Sequence, residues 1–216
     1  SSMATEASLE AIKDAGVNLG NIEMIIFATL SPDYYFPGSG VLLQRNLGLK
    51  NIPCLDIRQQ CAGFVYALSI ADQYIKTGMH KNILVVGSEV QSKLLEHSDR
   101  GRNVSVLFGD GAGAVVVSRS NEDSEILSNS VHADGTDAEQ LSLLSPGSAK
   151  EGYWITEEML EDGRLLPHMN GQLVFKTAVT KFPEVILEVL SKNGFEPNDL
   201  SLLIPHQANL RIAEFV

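Results

Sequence analysis

The sequence repeats itself, and the repeat restricts the architecture more than any other feature. Residues 9–27 align without a gap on residues 187–205. Leu9/Leu187, Glu10/Glu188 and Gly16/Gly194 are identical, and apolar positions coincide at Ile12/Leu190, Val17/Phe195, Ile22/Leu200, Met24/Leu202, Ile25/Leu203 and Ile26/Ile204. Each copy reads as a helix stopped by glycine, a polar loop and a buried strand. Helix-glycine-strand units are common enough to match by chance, but the absence of gaps favours duplication of an α/β half. Two such halves facing each other place a site at their junction.

Between the copies the pattern stays α/β. Ala7–Ala15 is expected as a helix closed by Gly16, followed by a strand over Glu23–Ala28. A loop of turn residues, Ser31–Gly40, precedes a short helix over Val41–Leu47 that ends at Gly48. Ile83–Glu89 is a near-continuous apolar run, the mark of a strand covered on both faces. Val104–Phe108 and Ala114–Ser118 are expected as strands joined through Gly109–Gly113. After Arg119 the chain turns polar from Asn121 to Ser124, and residues 132–170 are rich in loops. Gln172–Leu190 is expected as a helix with Pro183 as a candidate break, and Leu200–Ile204 as a strand.

The chemistry concentrates in the stretch Asp56-Ile57-Arg58-Gln59-Gln60-Cys61-Ala62-Gly63-Phe64. It reads as a strand end, a sharp turn and a helix start, with Cys61 at the corner. The helix runs through Val65, Leu68, Ala71, Asp72 and Ile75 to Gly78, with Lys76 in its last turn. A cysteine at a helix N-terminus sits beside unpaired N–H groups in the positive end of the dipole, which favours thiolate and predicts a pKa drawn toward 7 or below. Ala62 and Gly63 admit a second molecule to the sulfur. The competing reading is a buried core cysteine, which is retained for Cys54 inside the preceding strand.

His206 is the second candidate, placed just past a buried strand where open α/β sheets bind ligands. A lone histidine is more often structural, and that reading is kept for His80, His97, His132 and His168. A cysteine and a histidine together suit thioester chemistry, one as nucleophile and the other as donor to a developing oxyanion. Asn209 reads first as a helix-start residue. Phe108-Gly109-Asp110-Gly111-Ala112-Gly113 is not a dinucleotide loop, because it runs into Val115-Val116-Val117 and not into a helix.

Net charge is −11 and only 16 residues are Lys or Arg, with no basic run, so nucleic acid is not the expected partner. The two cysteines make neither a disulfide framework nor a zinc site, which points to a reducing, cytoplasmic compartment and no metal. No apolar run approaches a membrane span and no signal peptide is visible. The chain opens close to a helix and stops in an uncapped one at Arg211–Val216, so it is expected to be a stretch of something longer.

Taken in order, Cys61-Ala62-Gly63-Phe64, Gly87-Ser88-Glu89-Val90, Asp99-Arg100-Gly101, Phe108–Ala114, His132-Ala133-Asp134-Gly135, Met169-Asn170-Gly171 with Val174-Phe175-Lys176, and Pro205–Arg211 resemble the β-ketoacyl-[acyl-carrier-protein] synthase III family over nearly the whole chain. The resemblance implies a thiolase-like α/β fold. Two duplicated halves make five αβαβα layers, incomplete here. Residues 1–120 would form the N-terminal half carrying the cysteine, and residues 121–216 a linker and the beginning of the C-terminal half carrying the histidine. It implies condensation of an acyl-CoA primer with malonyl-acyl carrier protein, a homodimer, and no cofactor beyond the coenzyme A thioester as substrate. By position, Cys61 is the implied nucleophile and His206 the enolate-stabilising donor. Phe36 resembles a residue reaching into a partner's acyl pocket. Phe108 and Gly171 resemble pocket-lining positions, Arg100 a residue at the mouth of the coenzyme A site, Asn209 a substrate-side residue of the histidine motif, and Arg211 a carrier-protein contact. The family's catalytic asparagine motif lies downstream of the histidine, beyond Val216. A starter synthase using coenzyme A thioesters throughout, or a catalytically silent scaffold, are the alternatives.

Overall fold

The computed structural model describes residues 1–120, 124–149 and 152–216. The polar linker expected from Asn121 therefore begins outside the described residues. The chain packs as two units, residues 1–90 with 109–131, and residues 91–108 with 132–216.

The first unit is a mixed sheet between helices. Its strands are β1 (Met24–Ala28), β2 (Cys54–Ile57), β3 (Asn82–Glu89) and β4 (Gly111–Ser118), in the order β2-β1-β3-β4. β2, β1 and β3 are parallel and β4 runs antiparallel to β3. The period-2 alternation of a strand explains how one apolar run feeds two cores. Ile25, Phe27, Leu84 and Val86 face α1 (Ser2–Asp14) and α2 (Ser39–Asn46), where Ala4, Ile12 and Leu43 join them. Met24, Ile26, Ile83 and Val85 face α3 (Gly63–Lys76) and meet Ala67 and Ala71. Gly63, Ala67 and Ala71 form a small-residue stripe that lets α3 lie close on the sheet. The run over 83–89 is covered on both faces, as its composition predicts.

Register aligns the C-terminal ends of the parallel strands: Ala28 pairs with Ile57 on one side and with Gly87 on the other. The segments leaving these strands, residues 29–31 and 58–61, emerge together beside Glu89. Asp56 ties α2 to this edge, accepting the backbone N–H groups of Ser39 at 2.5 Å and Gly40 at 3.0 Å. A carboxylate there satisfies two of the orphan donors of α2 and meets the positive end of its dipole.

The second unit contains α4 (Arg102–Ser105), the β5 (Leu141–Ser142) and β6 (His168–Met169) pair, α5 (Glu157–Glu161), α6 (Gly171–Lys192) and α7 (Leu210–Phe215). Three expectations change. Residues 102–105 are helical and not the start of a strand over 104–108: only Val104 is buried while Val106 is exposed, so the segment has one apolar side and no second face to bury. Pro183 does not break α6, which runs through it. Proline removes one N–H from the ladder, and a 22-residue helix keeps its remaining turns. Leu200–Ile204 forms no strand. No ladder partner lies beside it among the described residues, and Leu202 and Ile204 stay exposed.

The repeat is nonetheless realised up to that point. Gly16 and Gly194 adopt φ of +63° and +72°, the left-handed conformation that stops a helix and suits glycine. Val17 N–H donates to Ile12 C=O at 3.2 Å, and Phe195 N–H to Leu190 C=O at 3.0 Å. A single 3-10 turn follows in each copy, Leu19–Asn21 and Pro197–Asp199. The copies part at the strand, which is β1 in the first and unpaired in the second.

Candidate active site

Cys61 stands on the corner predicted for it. β2 ends at Ile57, a 3-10 turn covers Gln60–Ala62, and α3 begins at Gly63. The corner is sharp because Gln60 takes φ +45°, a region that non-glycine residues occupy at a cost of about 1–3 kcal/mol and that clusters at functional sites. Ala62 N–H closes the turn on Gln59 C=O at 3.1 Å. Gly63 leaves little room for a side chain: a Cβ there would stand 3.2 Å from Ala28 Cβ, so Ala28 would have to shift slightly. The glycine after the cysteine thus seats α3 on the end of β1.

The thiol differs from its sequence expectation. Cys61 is exposed as a residue, yet crowding by protein desolvates the thiolate and pushes its pKa up. A hydrogen bond from its own backbone N–H works in the opposite direction, and the Glu89 charge adds to the rise. Burial is the largest of these influences and sets the upward direction. Cys54 behaves as the structural cysteine it was taken for, with burial raising its pKa to about 11.

His206 lies in the second unit, in the irregular stretch before α7. His206 is exposed as a residue, yet the protein packed around part of the ring desolvates its charged form and lowers its pKa below the ordinary value of 6.5, so at neutral pH the ring is uncharged and keeps one N–H to donate. Linkage fixes the sign of its pH effect. Because its folded pKa is depressed, its contribution to stability is complete above pH 6.5 and is lost as pH falls through the folded value. The melting temperature of the protein should therefore fall more steeply from pH 7.5 to 5.5 than that of a His206→Gln variant. Parallel slopes would show that burial does not govern this ring.

The remaining candidates are spread over both units. Phe36 is 80% exposed in the first unit and stacks edge-to-face on Tyr35 with ring centroids 6.1 Å apart. In the second unit Arg100 donates from Nε to Glu96 at 2.7 Å and from Nη1 to Glu161 C=O at 3.3 Å, beside a small cavity bordered by Leu94, Val104, Leu166 and His168. Phe108 is half-buried and Gly171 opens α6. Asn209 caps α7, its side chain accepting Arg211 N–H at 2.9 Å, which is the helix-start role read from sequence. The Arg211 side chain is exposed. Tyr153 is exposed in the loop 141–166, of which residues 150–151 lie outside the described residues. Among the described residues no group of His, Cys, Asp and Glu is arranged to hold a metal, and no helix is long and apolar enough to cross a membrane.

Three residues of the site were not singled out from sequence: Gln60, Asp56 and Glu89. The signal for Glu89 was available, since an acidic residue ends an otherwise apolar strand. Nothing in the sequence marks Gln60, because glutamine carries no preference for positive φ.

An α/β unit with a cysteine on the turn between a parallel strand and a helix packed on the sheet is the arrangement of thiolase-fold proteins, and the fold agrees. The solved 3-oxoacyl-[acyl-carrier-protein] synthase III from Aquifex aeolicus VF5 superimposes with a TM-score of 0.86 at 41% identity, over 98% of this chain and 62% of that one. A family model described as 3-Oxoacyl-[acyl-carrier-protein (ACP)] synthase III matches residues 55–135, the segment that holds the cysteine corner and the glycine run. The β-ketoacyl-[acyl-carrier-protein] synthase III of Caldanaerobacter subterraneus subsp. tengcongensis is 44% identical over 99% of the chain and 63% of that protein. The corresponding Fusobacterium nucleatum subsp. nucleatum protein is 42% identical over 99% of the chain and 64% of its own length. The chain is similar to β-ketoacyl-[acyl-carrier-protein] synthase III proteins over nearly all of its own length and spans just under two thirds of the length of these relatives.

Proposed function

We propose that the protein starts fatty-acid chains by condensing an acyl-CoA primer, acetyl-CoA first among them, with malonyl-acyl carrier protein. In the first half-reaction the Cys61 sulfur attacks the primer carbonyl. A thioester to Cys61 forms, the bond to the coenzyme A sulfur breaks, and coenzyme A leaves as the thiol. In the second, the malonyl group loses CO2 and the electron pair of the broken C–C bond becomes an enolate. Its oxygen needs a neutral donor, and the uncharged His206 ring supplies one. The enolate carbon attacks the Cys61 thioester, the C–S bond breaks, and 3-oxoacyl-acyl carrier protein departs while Cys61 recovers its proton. No resident cofactor takes part.

The observation that carries this reading is the Cys61 corner, held open by the left-handed Gln60 and by Gly63, at the C-terminal ends of three parallel strands. Phe36, Phe108, Gly171 and Asn209 are proposed on the substrate side. Arg100 serves coenzyme A, and the exposed Arg211 serves an acidic carrier protein, a local positive charge on a chain of net charge −11. A homodimer working in the cytoplasm completes the proposal.

Incubation with acetyl-CoA followed by peptide-mapped mass spectrometry tests it. One acetyl group on the Cys61 peptide, absent from Cys61→Ala, is the expected result. A label that needs a chain extended at both ends also upholds the chemistry. An extended chain that takes no acyl group from acetyl-CoA or longer acyl-CoA primers overturns it.

A further inference from the structure

Glu89 ends β3 beside the cysteine corner, half-buried, and the chemistry above does not use it. Its carboxylate accepts Leu30 N–H at 2.8 Å, the Ser31 hydroxyl at 2.5 Å and the Thr29 hydroxyl at 3.5 Å. The Ser31 oxygen in turn accepts Val90 N–H at 2.8 Å, and Ser31 N–H donates to Thr29 Oγ1 at 3.1 Å. Residues 29–31 are thereby bound to the end of β3. On the other side Thr29 N–H donates to the C=O of Ile57, the last residue of β2, at 3.0 Å. Ala28, immediately before this segment, is the surface on which Gly63 rests, and the Phe64 ring would meet a Cβ at Gly87 at 3.5 Å. The segment leaving β1 is therefore the floor of the turn that carries Cys61, and Glu89 holds that floor in place.

We propose that Glu89 is a positioning residue for the Cys61 nucleophile, acting through residues 29–31. The proposal rests on Cys61 being the group that is acylated. Charge-assisted hydrogen bonds to a carboxylate are roughly twice as strong as neutral ones, which suits an acidic residue to the task. The charge has a second effect, for it disfavours thiolate at Cys61.

Two rates measured by peptide mapping separate the possibilities: acetylation of Cys61 by acetyl-CoA and its alkylation by iodoacetamide at pH 7.5. Glu89→Ala should slow acetylation about tenfold or more, since a misplacement near 1 Å can cost a hundredfold. Glu89→Gln can still accept Leu30 N–H and donate to Ser31, and should recover most of that loss. It should also alkylate faster, because the charge that disfavours thiolate at Cys61 is gone. If Glu89→Ala does not fold, Ser31→Ala, which keeps the carboxylate, replaces it and should slow acetylation about threefold by the same loss of placement. Acetylation at the parent rate in Glu89→Ala, or a Gln variant no better than the Ala variant, overturns the proposal. If no protein is acetylated, the parent included, the acyl-transfer reading has failed and the positioning role falls with it, whereas a parent that is acetylated leaves the variants to decide the role of Glu89.

Discussion

Cys61→Ala should lower the rate of 3-oxoacyl product formation by at least about a thousandfold, the scale on which removal of a covalent nucleophile acts. The residue is exposed and its side chain is small, so the protein should unfold within about 2 °C of the parent, as surface substitutions away from special features do. That pairing makes the result diagnostic. A collapse of activity with an intact melting curve assigns chemistry to the sulfur. A parallel loss of both assigns it to packing, and retention of even a tenth of the product rate would remove Cys61 from the mechanism. Cys54→Ala is the natural control. Its thiol is held protonated by burial, and its loss should lower stability without changing the rate per folded molecule.

Gly38→Val should cost more stability than any other single surface-loop change in the first unit. A Cβ at Gly38 would lie 2.6–2.7 Å from three atoms of the Asp56 carboxyl group. Real Cβ atoms do not approach that closely, and Asp56 is short and tied down by the N–H groups of Ser39 and Gly40. The valine must displace the carboxylate, so the start of α2 loses its cap and the loop is overpacked at once. Caps are worth about 1 kcal/mol and overpacking about 1–3 kcal/mol, which together predict a loss near 3 kcal/mol. For a protein of this size that is a fall in melting temperature of roughly 10 °C. Gly38→Val with Asp56→Ala isolates the clash, since the double variant should lose less than the sum of the two. An additive pair would show that Gly38 and Asp56 do not meet.

The first unit was legible because its signals are local and redundant. Apolar period, glycine stops and buried strands agree at α1, β1, α3 and β3, and the boundaries fall close to those read from sequence except the start of α1, which lies at Ser2 and not at Ala7. The misreadings have a shared cause. At 104–108 and 200–204 the residues are β-branched or leucine-rich, but a strand exists only where another strand accepts its hydrogen bonds, and sequence does not report that neighbour. At Pro183 a local breaker was overruled by the length of the helix around it. The candidate site divided in the same way. The corner at Cys61 could be read, and so could the identity of the residues flanking it. The protonation preference of the thiol could not, because it depends on how closely the fold brings burial and the Glu89 carboxylate to the sulfur, and those distances are tertiary.

The bare segment at the end of the second repeat copy has a practical corollary. Leu202 and Ile204 lie open to solvent in an irregular segment with no ladder partner among the described residues. Such a strip is a template on which a second molecule can lay the same strip, residue against residue. Concentrated samples of these 216 residues should self-associate through it, a rise in apparent mass that light scattering over a dilution series would read, and Leu202→Lys should abolish it.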